Sequence, residues 1–220
     1  MLTLKIFKNE LNLFLKNTSA FLSLCFVGFL LIFIVNLCLR NVFGNKEGTL
    51  FPLTWLALFF GGLMRVQRSF EPESEGDILN YFKMRPQMLR PLFMAKNLMN
   101  VLCLLVYALF IEIFIVVLFN LSLSFYSYLW VFLLSFGGIV GFSTLGTFFS
   151  VLTREHTQRD LLLPLILYPL LSPILIASVQ SAELVGGDII FNGMWIRFLI
   201  LIDLIYLVVC YGLFGSQLLE

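Results

Sequence analysis

Long apolar stretches separated by short polar segments make up most of the chain. A helix needs about 20 predominantly apolar residues to cross the hydrocarbon core of a bilayer. Six stretches approach or reach this length, and they cover residues 20–39, 50–64, 97–119, 128–152, 161–181 and 194–215. The second stretch is the shortest of them. The pattern predicts six transmembrane helices.

A different pattern precedes the first apolar stretch. Apolar residues recur there at helical spacing, and lysines lie between them. The apolar positions are Leu4, Phe7, Leu11, Phe14 and Leu15, and the lysines are Lys5, Lys8 and Lys16. A helix with one apolar and one basic face suits the membrane surface. Residues 1–19 are therefore predicted to form an amphipathic interfacial helix.

The composition agrees with a membrane protein. Hydrophobic residues make up 60% of the chain and charged residues 12%, whereas a soluble domain carries about 25% charged residues. A water-soluble fold of 220 residues could not bury so much apolar surface. The net charge of +1 provides no overall attraction to nucleic acid. We predict an all-α polytopic membrane protein whose residues 1–220 form a single transmembrane domain.

Lysine and arginine residues indicate the orientation of the chain, because they concentrate in cytoplasmic loops. With the N-terminus inside, eleven of them lie on the cytoplasmic side and three on the outer side. The eleven are Lys5, Lys8, Lys16, Arg65, Arg68, Lys83, Arg85, Arg90, Lys96, Arg154 and Arg159, and the three are Arg40, Lys46 and Arg197. Trp55, Trp130 and Trp195 fall near the outer ends of spans, as in an interfacial aromatic belt. Both termini are therefore predicted to be cytoplasmic.

The longest cytoplasmic segment covers residues 65–96 and contains an acidic stretch, SFEPESEGDILNYFKMRPQ. The acids of this stretch are Glu71, Glu73, Glu75 and Asp77. Ile78, Leu79 and Phe82 then recur at helical spacing, and Pro86 and Pro91 follow them. The pattern predicts a short amphipathic helix that ends before the chain re-enters the membrane. The alternative is a solvated loop whose acids balance the nearby arginines.

The sequence contains no motif of the common enzyme sites. Walker A, GxGxxG, HExxH and GxSxG sequences are absent. The single histidine, His156, is interpreted as a solvated loop residue. The four cysteines lie in apolar stretches without a CxxC pair, which is typical of small buried residues. We therefore predict neither catalytic residues nor a metal site.

Two acids lie within predicted spans, where ionisable groups are costly and tend to be functional. Asp203 follows Arg197 by six residues, so local charge compensation would explain its presence. Glu112 has no such neighbour. For Glu112 three interpretations stay open, namely a role in substrate passage or gating, a protonated side chain, and a hydrogen bond to a neighbouring helix.

The fourth and fifth spans carry features that affect helix packing. Gly137, Gly141 and Gly146 let helix backbones approach closely, either within the chain or at a dimer seam. Pro164, Pro169 and Pro173 interrupt the hydrogen-bond ladder of the fifth span and predict a kink. A moving joint and a static bend are both compatible with this pattern.

Residues 141–177, GFSTLGTFFSVLTREHTQRDLLLPLILYPLLSPILIA, resemble the haem exporter protein B (CcmB) family of cytochrome c maturation. The family pattern is GFxxLGTxxSxLT, then an arginine, then LLPLLxxPLxxPxLIA. The positions that fit it are Gly141, Phe142, Leu145, Gly146, Thr147, Ser150, Leu152, Thr153, Leu163, Pro164, Pro169, Pro173 and Ile176. The order of an amphipathic helix, two spans and a polar cytoplasmic segment also resembles permeases of ABC exporters of the second type. In that class the segment is the coupling helix, which docks on the ATPase subunit.

The resemblance implies a permease subunit of an ABC-type complex in the bacterial inner membrane. A separate ATPase (CcmA) would bind ATP and dock on residues 70–86 of a homodimer of this chain. The coupling residues would be Phe70, Glu71, Glu73, Glu75, Asp77, Ile78, Leu79 and Phe82. The other partners implied are the haem-handling membrane protein CcmC, the single-span protein CcmD and the periplasmic haem chaperone CcmE. The complex would handle haem, with ATP hydrolysis serving release of the loaded chaperone.

The residues themselves leave two other functions open. One is an ABC exporter permease for another cargo, such as a lipid or a drug. The other is a membrane scaffold that transports nothing and has no ATPase partner. The resemblance favours a permease subunit of cytochrome c maturation over both of these alternatives. It does not decide whether haem passes through this subunit.

Overall fold

The computed structural model describes residues 2–16, 18–39, 50–70, 88–153, 159–185 and 188–217. Within these ranges the chain forms seven helices and one two-stranded sheet. The helices are α1 (Leu2–Lys16), α2 (Thr18–Leu39), α3 (Leu50–Gln67), α4 (Leu89–Phe119), α5 (Phe125–Leu152), α6 (Arg159–Gln180) and α7 (Gly193–Gln217). The strands are β1 (Ala182–Val185) and β2 (Asp188–Phe191).

Helices α2 to α7 are each long and apolar enough to cross a membrane. This confirms the six spans that the hydrophobic pattern predicts. Helices α3 and α5 are the most buried, whereas α2 and α7 are the most exposed. Helix α5 contacts α3, α4, α6 and α7, and therefore forms the centre of the bundle. Helix α1 packs along α4.

Helix α4 begins well before the predicted span, which starts at residue 97. The additional residues are helical because Leu89, Leu92 and Phe93 bury their side chains in the core. Pro91, which was predicted to end the preceding helix, lies instead in the first turn of α4. A proline is tolerated there because the first N–H groups of a helix have no partner within it.

A tyrosine fixes the packing of the first three spans. The hydroxyl of Tyr107 in α4 donates to the carbonyl oxygen of Ala57 in α3 at 3.1 Å. Gly61 lies against the same ring, and a Cβ at that position would come within 2.6 Å of ring atoms. Gly28 of α2 faces the ring as well. The absence of side chains at Gly28 and Gly61 lets three backbones approach one aromatic ring.

The sequence-based prediction did not include the small hairpin between α6 and α7. Strands β1 and β2 pair in antiparallel fashion, with Ala182 opposite Phe191 and Val185 opposite Asp188. Asn192 closes the hairpin by donating its N–H to the carbonyl oxygen of Ser181 at 2.8 Å. The all-α prediction is therefore correct for the bundle and incomplete for this connection. A Gly-Gly pair between two short apolar runs is a hairpin signal that was available in the sequence.

The interpretation of Trp55 as part of an interfacial aromatic belt is wrong. Its side chain is only 3% exposed and packs against Gly138 of α5. Trp55 lies on α3, which together with α5 is the most buried helix of the bundle, and its ring faces protein instead of lipid. Trp130 and Trp195 are half-buried.

Candidate functional site

The end of the bundle that carries Arg65, Arg90 and Lys96 is called the basic end here. Helices α3 and α5 finish at this end, and α4 starts there. Arg90 stacks over the ring of Tyr211 near the end of α7, at 5.6 Å from the ring centroid. The first turns of α4 also contain three buried polar residues, Lys96, Asn97 and Asn100. Buried polar groups need partners, so these residues indicate an organised site.

Lys96 joins α4 to two other parts of the chain. Its Nζ lies 2.9 Å from Oε1 of Glu10 in α1. The same group donates to the carbonyl oxygen of Ser69 at 2.8 Å and lies 5.3 Å from the ring centroid of Phe70. Only 1% of the Lys96 side chain is exposed. A buried charge of this kind is stable only because it is paired and hydrogen-bonded.

Asn100 extends the contacts of Lys96 to α5. Its Nδ2 donates to the hydroxyl oxygens of Ser69 at 3.0 Å and Thr147 at 2.9 Å. Ser69 therefore receives hydrogen bonds at both its carbonyl and its hydroxyl oxygen, from neighbouring positions on the same face of α4.

Asn97 makes a parallel set of contacts. Its Nδ2 donates to the hydroxyl oxygen of Thr144 at 3.0 Å, and its Oδ1 accepts from the hydroxyl of Ser143 at 2.7 Å. The polar positions of α5 repeat the spacing of those of α4. We call these contacts the polar cluster, and its members are Glu10, Ser69, Lys96, Asn97, Asn100, Ser143, Thr144 and Thr147.

The polar cluster holds the chain immediately before the predicted coupling helix. Phe70 is fully buried beside Lys96, so it lies inside the bundle and anchors the start of residues 71–87. The remaining coupling residues lie outside the part of the chain that the structure describes. They are Glu71, Glu73, Glu75, Asp77, Ile78, Leu79 and Phe82.

Glu112 lies in a separate position, between α4 and α5. It is fully buried, and its Oε1 accepts a hydrogen bond from the hydroxyl of Ser135 at 2.8 Å. Its Oε2 has no hydrogen-bond partner among the described residues. The sequence left three interpretations of Glu112 open, and the structure shows one of them, the hydrogen bond to a neighbouring helix.

Asp203 of α7 is also buried, and its carboxyl group packs against Gly141 of α5. The charge compensation expected from Arg197 is wrong, because the structure records no ion pair between these two described residues. Six residues place two side chains about 120° apart around a helix, and Arg197 is exposed while Asp203 is buried. The structure does not bring Asp203 and Glu112 together, since their contacts on α5 are six residues apart, or about 9 Å.

Of the four glycines of α5, the three that the sequence singled out each contact a different side chain of the same molecule. A Cβ at Gly137 would lie 3.2 Å from Leu199, and one at Gly146 would lie 2.7 Å from Val66. At Gly141 a Cβ would lie 2.7 Å from Ile174 in addition to meeting Asp203. All three positions therefore serve packing within the chain.

All three prolines lie inside the continuous helix α6. Pro173 cannot donate to the carbonyl oxygen of Pro169, which accepts from the hydroxyl of Ser172 at 2.8 Å instead. One position further, the carbonyl oxygen of Leu170 accepts from the hydroxyl of Tyr206 in α7 at 2.8 Å. The Ser172 hydroxyl therefore supplies a donor at a carbonyl that Pro173 leaves without its backbone partner.

Comparison with known protein families identifies the family of the chain. A family model described as CcmB protein matches residues 1–216. The chain belongs to the CcmB family. This confirms the resemblance found in the sequence, and it makes the chain a multi-pass permease component of cytochrome c maturation in the bacterial inner membrane. No curated protein and no solved structure matches the chain.

Sequence reasoning missed the polar cluster of this CcmB chain. It used Lys96 only to count charges and Thr147 only to support the family resemblance. The available signal was a pair of matching patterns, with polar residues at 96, 97 and 100 in one apolar helix and at 143, 144 and 147 in the next. Polar side chains at such spacing share one helix face and hydrogen-bond across to a neighbouring helix.

Proposed function

We propose that this CcmB protein is the membrane subunit of an ABC-type complex, an exporter permease of the second type. A separate ATPase, CcmA, docks on residues 71–86 of the coupling segment, which follow the buried Phe70. Its ATP-driven movement then serves release of the haem-loaded chaperone CcmE. CcmC and CcmD complete the complex, in which this chain forms a homodimer. The ATPase binds ATP, and the assembled complex handles haem.

The observation that carries this proposal is the anchoring of the coupling segment at both ends. Phe70 is fully buried before the segment, and Leu89 is fully buried after it. Lys96 and Asn100 hold Ser69 by two hydrogen bonds. A displacement of residues 71–87 would therefore be transmitted directly to α3 and α4.

The charge distribution supports a cytoplasmic position for this end of the bundle. Most of the lysine and arginine residues of the chain lie at or beyond the basic end, as the positive-inside rule requires of a cytoplasmic face. We therefore place both termini and the coupling segment in the cytoplasm. Helix α1 lies at the cytoplasmic interface, where its exposed residues Leu4, Lys5 and Lys8 meet lipid and headgroups.

The docking proposal is tested by placing a carboxylate on the apolar face of the predicted coupling helix. Leu79→Asp and Phe82→Asp put a charge into the expected apolar contact with the ATPase, which costs desolvation energy. Asn80→Asp is the matched control, because at helical spacing position 80 lies on the opposite face. We expect both test variants to insert in the membrane and to lose co-purification of the ATPase, while the control retains it. Normal co-purification with both test variants would overturn the docking proposal.

A further inference from the structure

Helix α1 is attached to the bundle by the same lysine that holds the start of the coupling segment. The ammonium group of Lys96 contacts Oε1 of Glu10 at 2.9 Å and the carbonyl oxygen of Ser69 at 2.8 Å. One charged group thus joins α1, α4 and the residues that lead into the coupling segment.

The ion pair between Glu10 and Lys96 differs from an ordinary surface pair. The side chains are 11% and 1% exposed, respectively. Exposed pairs are screened by water and salt and contribute little, whereas water screens a buried pair far less. Removing one partner of a buried pair leaves the other charge without compensation. We therefore expect the ion pair between Glu10 and Lys96 to stay formed.

A second set of contacts holds the C-terminal half of α1. The guanidinium group of Arg65 in α3 lies 5.9 Å from the ring centroid of Phe14. Phe14 also packs edge-to-face on Phe21 of α2, with 5.4 Å between the ring centroids. Arg65 lies four residues before Ser69, so α1 contacts α3 directly, one turn before the residue that Lys96 holds.

We propose that the Glu10–Lys96 ion pair makes α1 move together with the coupling segment. A displacement of the segment passes through Ser69 to Lys96, and from Lys96 to Glu10 and α1. Lys96 is a positioning residue in this scheme, because it acts through Ser69 and Glu10. The inference rests on the proposed function, since it needs an ATPase that acts on the segment.

Hydrogen–deuterium exchange of the complete complex, with and without a non-hydrolysable ATP analogue, tests this inference. In the native complex we expect the analogue to change exchange in peptides from α1 and in peptides from residues 71–87. In Glu10→Gln we expect the change in residues 71–87 to be retained and the change in α1 to be lost. The control Lys8→Gln removes one charge from an exposed position of the same helix and retains both changes.

A second variant keeps the test decisive if Glu10→Gln is poorly folded. Glu10→Gln combined with Lys96→Met removes both charges of this ion pair, so neither is left facing a neutral partner, and the protein is expected to fold. We expect the α1 response to be lost in this variant too. An α1 response of native size in either folded variant would overturn the inference.

The outcomes also separate the inference from the function on which it rests. If residues 71–87 respond to the analogue in the native complex and α1 does not, only the inference fails. If neither region responds, or the ATPase does not co-purify with the native chain, both the proposed function and the inference are wrong.

Discussion

The hydroxyl of Ser135 donates a hydrogen bond to Oε1 of Glu112, and this 2.8 Å contact joins the buried faces of α4 and α5. The carboxyl group has no other hydrogen-bond donor among the residues that the structure describes. Among the described residues, the hydroxyl of Ser135 is therefore the one group that replaces water as a hydrogen-bond donor to the buried Glu112 carboxyl group.

Ser135→Ala is expected to destabilise the protein by about 1–3 kcal/mol, because it leaves a buried carboxyl group without its donor. Ser23→Ala is the control, since the hydroxyl of Ser23 is exposed and bonds only locally, to the carbonyl oxygen of Ala20. Unfolding of both variants in the same detergent, followed by tryptophan fluorescence, measures the difference. Equal stability of the two variants would show that the Ser135 contact contributes nothing.

A methyl group at Gly138 is expected to disturb the centre of the bundle. Its Cβ would approach Ser178 Oγ to 2.6 Å and also meet the ring of Trp55, and overpacking of a close-packed core costs about 1–3 kcal/mol. Gly212→Ala is the matched control, because its Cβ would meet no described atom within 4 Å. Thermal unfolding and size-exclusion profiles compare the two. A native melting temperature for Gly138→Ala would contradict the packing described for Trp55.

Tyr206→Phe is expected to destabilise the contact between α6 and α7 by about 1 kcal/mol, the usual net contribution of one hydrogen bond. The substitution removes the donor to the Leu170 carbonyl oxygen and leaves the aromatic ring in place. Tyr168→Phe serves as the control, since its exposed ring packs against Phe59 with or without the hydroxyl. Hydrogen exchange of α6 peptides reports the effect, and faster exchange confined to Tyr206→Phe is the expected result.

The hydrogen bond between Asn97 and Ser143 lends itself to a double-mutant cycle. Asn97→Ala, Ser143→Ala and the double variant should give a coupling energy of about 0.6 kcal/mol, the average found for such bonds between membrane helices. The small value is expected because unpaired helices in the membrane also find partners for their polar groups. Additive effects of the two substitutions would show that the 2.7 Å contact is not energetically coupled.

The six spans were predictable because each must satisfy its backbone internally and present apolar side chains to lipid. Helix rotation was not predictable in the same way. Trp55 was assigned to the lipid interface from its position along the span, although its ring faces Gly138. The expected pairing of Asp203 with Arg197 failed for the same reason, since hydropathy does not specify which face of a helix meets which neighbour.

The candidate site was predictable only in part. The resemblance identified the family and indicated where a coupling segment is expected, but the contacts that hold Ser69 and Phe70 come from helices distant in sequence. Lys96 appeared as one cytoplasmic charge among eleven, and its partners Glu10 and Ser69 carried no signal of their own. Tertiary contacts of this kind depend on how the helices assemble after insertion.

The contact between Glu10 and Lys96 also constrains the order of assembly of the chain. Helix α1 leaves the ribosome before α4, which carries Lys96. Until α4 has been made, Glu10 lacks the ammonium group with which it pairs in the folded chain. Helix α1 therefore reaches its final place only after α4 has joined the bundle.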